Sequence, residues 1–196
     1  MKTIIIFACI LTIIYTTIFF IPQSTEKLSL DPQHTNQPWR YITYQFAHLN
    51  TTHLIQNIIG LALITLIAIE LKTRFSNFTT TYLTAGLLSV IPIWLIISFT
   101  TLGASNAILG GFGLISQETK KYEINSWIII TTISALIFLQ TITTYFTNGT
   151  GKEFTQAITQ DSAHFSGLIF GIGAYYLLKK ITPIIERKKT RVLRGG

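Results

Sequence analysis

The sequence predicts an all-α, polytopic membrane protein: six transmembrane helices in one bundle, the fourth of them short. Three observations lead there. Hydrophobic residues make up 48% of the 196 and charged residues only 12%, about half the charge of an ordinary soluble domain. The apolar residues gather into runs, five of them near the roughly 20 residues a helix needs to cross about 30 Å of hydrocarbon. The basic residues lie almost entirely on one side of those runs. Helices are the only plausible spans, because a lone strand cannot satisfy its backbone in lipid.

The first run covers 3–21 and stops at Pro22. Lys2 before it imitates a secretory signal, but the run is too long and no small-x-small cleavage site follows. The second and third runs, 51–71 and 79–99, have span length, as do the fifth, 125–146, and the sixth, 159–178. The fourth, 105–116, has 12 residues, or about 18 Å at 1.5 Å per residue, too short to cross. Gln117, Glu118, Lys120 and Lys121 tie its far end to the cytoplasmic surface. Its near end, carrying Ser105, then lies about 10 Å below the outer surface. The loop 100–103 has to descend to reach it. Such backbone is tolerated only where protein buries it or it lines a wet cavity. A water-filled pocket opening outward, with Ser105 at its floor, follows.

Charge sets the direction. With six spans, 12 of the 15 Lys and Arg fall on the side of the termini, and only Lys27, Arg40 and Lys152 on the other. The positive-inside rule places both termini in the cytoplasm, and the minimal size suggests a prokaryotic plasma membrane. Residues 1–180 form the six-span domain and 181–196 a basic cytoplasmic tail that meets anionic membrane lipids. The net charge of +7 implies no nucleic acid, since the basic residues are confined to short loops and the tail. A single cysteine, Cys9, excludes an intrachain disulfide. Nothing calls for a cofactor or a metal.

Ser105 and His164 are polar residues set in apolar runs, where such groups are costly and mark function. His164 is about five residues into the last span, about 8 Å deep, near the level of Ser105. His53 and Asn57, spaced i, i+4 at the outer end of the second span, share one helix face. One buried polar group is more often glue between helices. Four from three spans at one depth point to a site, and a serine beside a histidine can be a nucleophile with its own base. A transporter or channel would instead spread ionisable groups along the membrane depth, and here the inner half has almost none.

At these residues the chain resembles the rhomboid intramembrane serine proteases. The resemblance rests on Trp39-Arg40 and Phe46-x-His48 in the first external loop, and on His48-(x)4-His53-Leu54-x-x-Asn57. It continues with Gly103-Ala104-Ser105 and Ala163-His164-x-x-Gly167-x-x-x-Gly171. The match runs roughly over 38–178. It implies a serine endopeptidase that cuts membrane-anchored proteins near the outer face of the bilayer. Ser105 would be the nucleophile and His164 the base of a dyad. His53, Asn57 and the Ser105 N–H would hold the oxyanion. The alternative is a rhomboid-like pseudoprotease that binds spans without cutting. The implied partners are transmembrane protein substrates and membrane lipids. Substrate identity and oligomeric state stay open.

Around these positions the reading is structural. Gly167 and Gly171, four apart, let two spans approach closely, with Gly110, Gly111 and Gly113 as the slim face opposite. Asp161 reads as a cap of the last helix, favoured by its dipole. Trp39 and Arg40 fit either an interfacial pair with Arg facing headgroups or a structured loop. Glu70 fits either solvation or a family feature at the inner end of the second span. The match departs at Asn106, usually glycine, at Leu109, often tyrosine, and at 72–76, where a usual glycine is missing. The Asn106 amide would either crowd the pocket or add a donor to it.

Overall fold

A computed structural model describes residues 2–194, with side-chain surroundings through Ile181. The tail at 181–196 therefore lies, from residue 182 on, outside the described side chains. The helices are α1 (Lys2–Phe19), α2 (Ser24–Leu28), α3 (Arg40–Thr43), α4 (Thr51–Glu70) and α5 (Phe75–Leu88). They continue with α6 (Val90–Ile96), α7 (Ser105–Glu118), α8 (Ser126–Asn148) and α9 (Lys152–Arg194). Among the described residues, four segments are long and apolar enough to cross a membrane: α1, α4, α5 with α6, and α8. The other two expected spans are α7, which is short, and α9, whose first half carries Gln156, Gln160, Asp161 and His164. The bundle turns apolar side chains outward, with Phe146 80% and Ile96 78% exposed, a surface suited to lipid.

The short helix is the centre of the molecule. In α7, 11 of 14 residues are buried, against two of 23 in α8. α9 packs on α7 more extensively than any other pair of helices, and the glycines permit it. A Cβ on Gly167 would stand 2.6 Å from the Asn106 carbonyl oxygen, and one on Gly171 would stand 2.7 Å from Gly110 Cα. On the other flank α1 and α5 meet through the Tyr15 and Tyr82 hydroxyls, 2.8 Å apart.

Several expected boundaries are corrected. The third span begins at Phe75, not 79, and bends at Ser89 between α5 and α6. Pro92 is the cause, since it cannot donate to the Leu88 carbonyl and its ring crowds that turn. The fourth reaches Glu118, still only about 21 Å long. Gln117 and Glu118 are 2% exposed, so they are buried against their neighbours and not spread on the surface. The last helix starts at Lys152, which puts His164 deep in its interior. Asp161 is accordingly no cap. Its Oδ2 accepts from the Thr141 hydroxyl at 2.6 Å and backbone N–H at 3.1 Å, fastening α9 to the loosely packed α8.

The glycine missing from 72–76 leaves a mark. Lys72 is left-handed at φ 50°. Its N–H bonds to the Ile69 carbonyl and the Thr73 N–H to the Ala68 carbonyl, the paired bonds of a Schellman end that glycine favours. A side chain there costs about 1–2 kcal/mol. Lys72→Gly is expected to raise stability by about 1 kcal/mol, read as a higher unfolding midpoint in detergent. A lowered midpoint would show that the Lys72 side chain holds the turn through contacts worth more than the strain.

Candidate active site

The loop leading to Ser105 has to be satisfied by protein, and the first loop does this. Leu30 and Thr101 exchange backbone bonds in both directions, each at 2.9 Å. The Gly103 N–H donates to the Tyr44 carbonyl at 2.9 Å, and Trp94 Nε1 donates to the Phe99 carbonyl at 3.0 Å. Arg40 holds the first loop itself together. It is 4% exposed, and its Nη1 donates to the Glu26 and Ser29 carbonyls at 2.7 and 2.8 Å, while Nε donates to Gln37 at 2.7 Å. Arg40 therefore belongs to a structured loop and not to a headgroup contact. Trp39 beside it is half exposed. Glu70 is exposed, as simple solvation requires.

Ser105 begins α7, and the first intrahelical bond of that helix runs from the Ile108 N–H to the Ala104 carbonyl. The N–H groups before it have no helical acceptor and sit at the positive end of the dipole. Ser105 Oγ lies 2.9 Å from His164 Nε2, across the α7–α9 contact. With the imidazole neutral and its proton on Nδ1, the hydroxyl donates to Nε2. His53 Nδ1 accepts from the Leu49 N–H at 3.4 Å, so Nε2 of that ring carries its proton. Gly103 makes room for it. At φ 103° glycine suits the backbone, and a Cβ there would stand 2.7 Å from His53 Nε2. Asn57, 4% exposed, gives one N–H to the His53 carbonyl at 2.9 Å and keeps a second. Its Oδ1 is buried without a partner, and native structures rarely retain such an atom without use. His53 and His164 both line one cavity of about 430 Å³.

A family model, that of the Rhomboid domain, matches residues 35–181. The chain belongs to the rhomboid family. No curated protein matches it.

All four residues singled out in this rhomboid chain thus come together. Ser105 and His164 are in contact, and His53 and Asn57 stand behind Gly103. Asn106 does not join them. It is buried with its amide Nδ2 unpaired, its backbone packs on Gly167, and it does not line the cavity that His53 and His164 share. Tyr44 is fully buried and donates to the Gly86 carbonyl. Burial pushes its pKa far up, so it stays a donor. His48 is buried beside Tyr15 and His53. Burial, with the His53 charge adding to it, holds its pKa down to about 4, and a neutral ring packs there. Asp161 makes its bonds to Thr141, and none joins it to His164. Sequence reasoning passed over Leu30, Tyr44, Leu49 and Trp94, because three of them act through backbone groups that any residue has. Trp94, and Tyr44 through its hydroxyl, also carried a side-chain signal.

Proposed function

We propose that the protein is an intramembrane serine endopeptidase that cuts transmembrane proteins near the outer face of a plasma membrane through a Ser105–His164 dyad. In this reading six spans, α7 and α9 among them, cross or enter the bilayer, with both termini cytoplasmic. The 2.9 Å contact between Ser105 Oγ and His164 Nε2 carries the reading. His164 takes the hydroxyl proton at Nε2 as Ser105 attacks the scissile carbonyl. The oxyanion is met by the Ser105 N–H, the His53 Nε2–H and the free Asn57 N–H. His164 then returns its proton to the leaving amine, and water releases the acyl group by the same steps. The second reading, a rhomboid-like protein that binds spans without cutting, leaned on Asn106. That side chain does not line the cavity that His53 and His164 share, so we favour cleavage.

A peptide bond inside a regular helix is shielded, so a substrate span has to unwind before it reaches Ser105. Gly and Pro near its outer end lower that cost, and we expect a small residue before the cut. A model single-span substrate with a Gly-rich outer third is expected to be cut there, releasing its outer fragment to the exterior, while an all-Leu version resists. Mass spectrometry of the fragments locates the bond. Efficient cutting of the all-Leu span deep in the membrane, or release of the fragment inward, would overturn the pocket or the orientation.

A further inference from the structure

Asp161 is a buried acid whose hydrogen bonds do not require one. It is 2% exposed and lies inside α9, a helix read here as a span, where an ionisable side chain is expensive and marks function. Its Oδ2 serves Thr141 twice, accepting from the hydroxyl and from the backbone N–H. Those bonds ask only for an acceptor. The side-chain carbonyl of an asparagine would supply one without burying an ionisable group. Glu118, the other acid buried in a described helix, is paired with Lys121. Among the described residues no Lys or Arg pairs with Asp161, although buried charges are ordinarily paired.

The cation that answers it arises during the reaction. His164 lies three residues on, so the two side chains are neighbours on the helix surface, with Cβ atoms about 5–6 Å apart. The Asp161 charge acts on the His164 ring, although no hydrogen bond joins them. When His164 takes the Ser105 proton, its ring becomes an imidazolium. Its Nδ1 has no partner among the described residues, so no protein bond disperses the new charge. Little else reaches it. The helices α5, α6 and α8, all packed on α9, carry no Asp, Glu, Lys, Arg or His, and α7 carries only Glu118 at its far end. His53, whose Nδ1 accepts from the Leu49 N–H, is the other titratable group that bears on the ring. A carboxylate at such range, in surroundings of low dielectric, favours a charged imidazole strongly.

We propose that Asp161 is a positioning residue for the dyad, stabilising the His164 imidazolium through space and so speeding the attack of Ser105. It does not line the cavity that holds His53 and His164, so it acts through His164 and not on the substrate. The proposal rests on the proteolytic reading for its reaction. Its test is Asp161→Asn in the full chain in detergent micelles, a change that keeps the size of the side chain and its acceptor for Thr141. The kcat for a model single-span substrate is expected to fall about tenfold or more, with KM and the unfolding midpoint unchanged. Unchanged kcat, or a loss accompanied by a lowered midpoint, would overturn the proposal and leave Asp161 as a fastener of α8. A second measurement needs no cleavage. The chain carrying Ser105→Ala is labelled with nitrogen-15 histidine, and the His164 signals are assigned by their loss in His164→Ala. At the pH that leaves that ring half charged, adding Asp161→Asn should leave it about nine-tenths neutral, the same tenfold change. An equally charged ring in both proteins would overturn the proposal. Should the Asn variant not fold, Asp161→Ser, which keeps an acceptor, repeats both comparisons. Failure of the unmodified chain to cut or to be labelled by a serine-directed probe would remove the proteolytic reading, while the histidine signals would still decide whether Asp161 acts on His164.

Discussion

Ser105→Ala is expected to abolish labelling by a fluorophosphonate probe and to lower cleavage of a model span on the order of 10⁴-fold or more. Among the described residues, no other hydroxyl is hydrogen-bonded to the His164 ring to take its place. His164→Ala should fall nearly as far, because an unassisted serine hydroxyl is a weak nucleophile and, among the described residues, the base in contact with Ser105 is His164 Nε2 at 2.9 Å. The two losses should not add. Each residue acts only through the other, so the double variant should match the worse single one. Probe labelling and turnover of a fluorogenic span in detergent read both effects. Equal labelling of the wild type and Ser105→Ala would mean that another residue reacts, and the dyad would be discarded.

His53→Ala and Asn57→Ala are each expected to lower turnover about 10²–10³-fold with little change in KM. The reason is differential binding. In the proposed mechanism their free N–H groups would meet a charge that exists only once Ser105 has attacked, so removing them would raise the transition state and leave the bound substrate alone. The structure adds an ordering to this. His53 is held by the Leu49 N–H, and its carbonyl in turn holds Asn57. The side chain of Asn57 is thus oriented by backbone that His53→Ala keeps, and the two losses should be separable. A raised KM with unchanged turnover would assign both residues to substrate contact. A lowered unfolding midpoint with unchanged kinetics would assign them to packing.

Most of the site could be read from the chain, for a physical reason. A bilayer makes polar side chains expensive, so the few that remain inside apolar runs announce themselves. Ser105, His164, His53 and Asn57 are such residues, and the glycines at 167 and 171 were legible from their spacing alone. What failed to read were the ends of helices. The last helix begins at Lys152 because Thr155, Gln156 and Gln160 are as helical as the apolar residues after them, and hydropathy cannot mark a helix that starts in water. The same error turned Asp161 into a cap, when it lies inside the helix and grips Thr141 on α8.

The sequence by itself determined the all-helical class, the short central helix, the family and the residues that face one another. The class and the short helix follow from composition and period, and the family from short motifs, all of which depend on each residue and its near neighbours along the chain. Only the tertiary structure decided what holds them in register. The loop before Ser105 is pinned by Leu30 and Tyr44 through main-chain groups, and the His53 ring is turned by a main-chain N–H. Backbone donors and acceptors are the same at every position, so no pattern of side chains records which of them meet. Their pairing comes into being when α7, α9 and the first loop close on one another, and that closure brings the dyad to 2.9 Å.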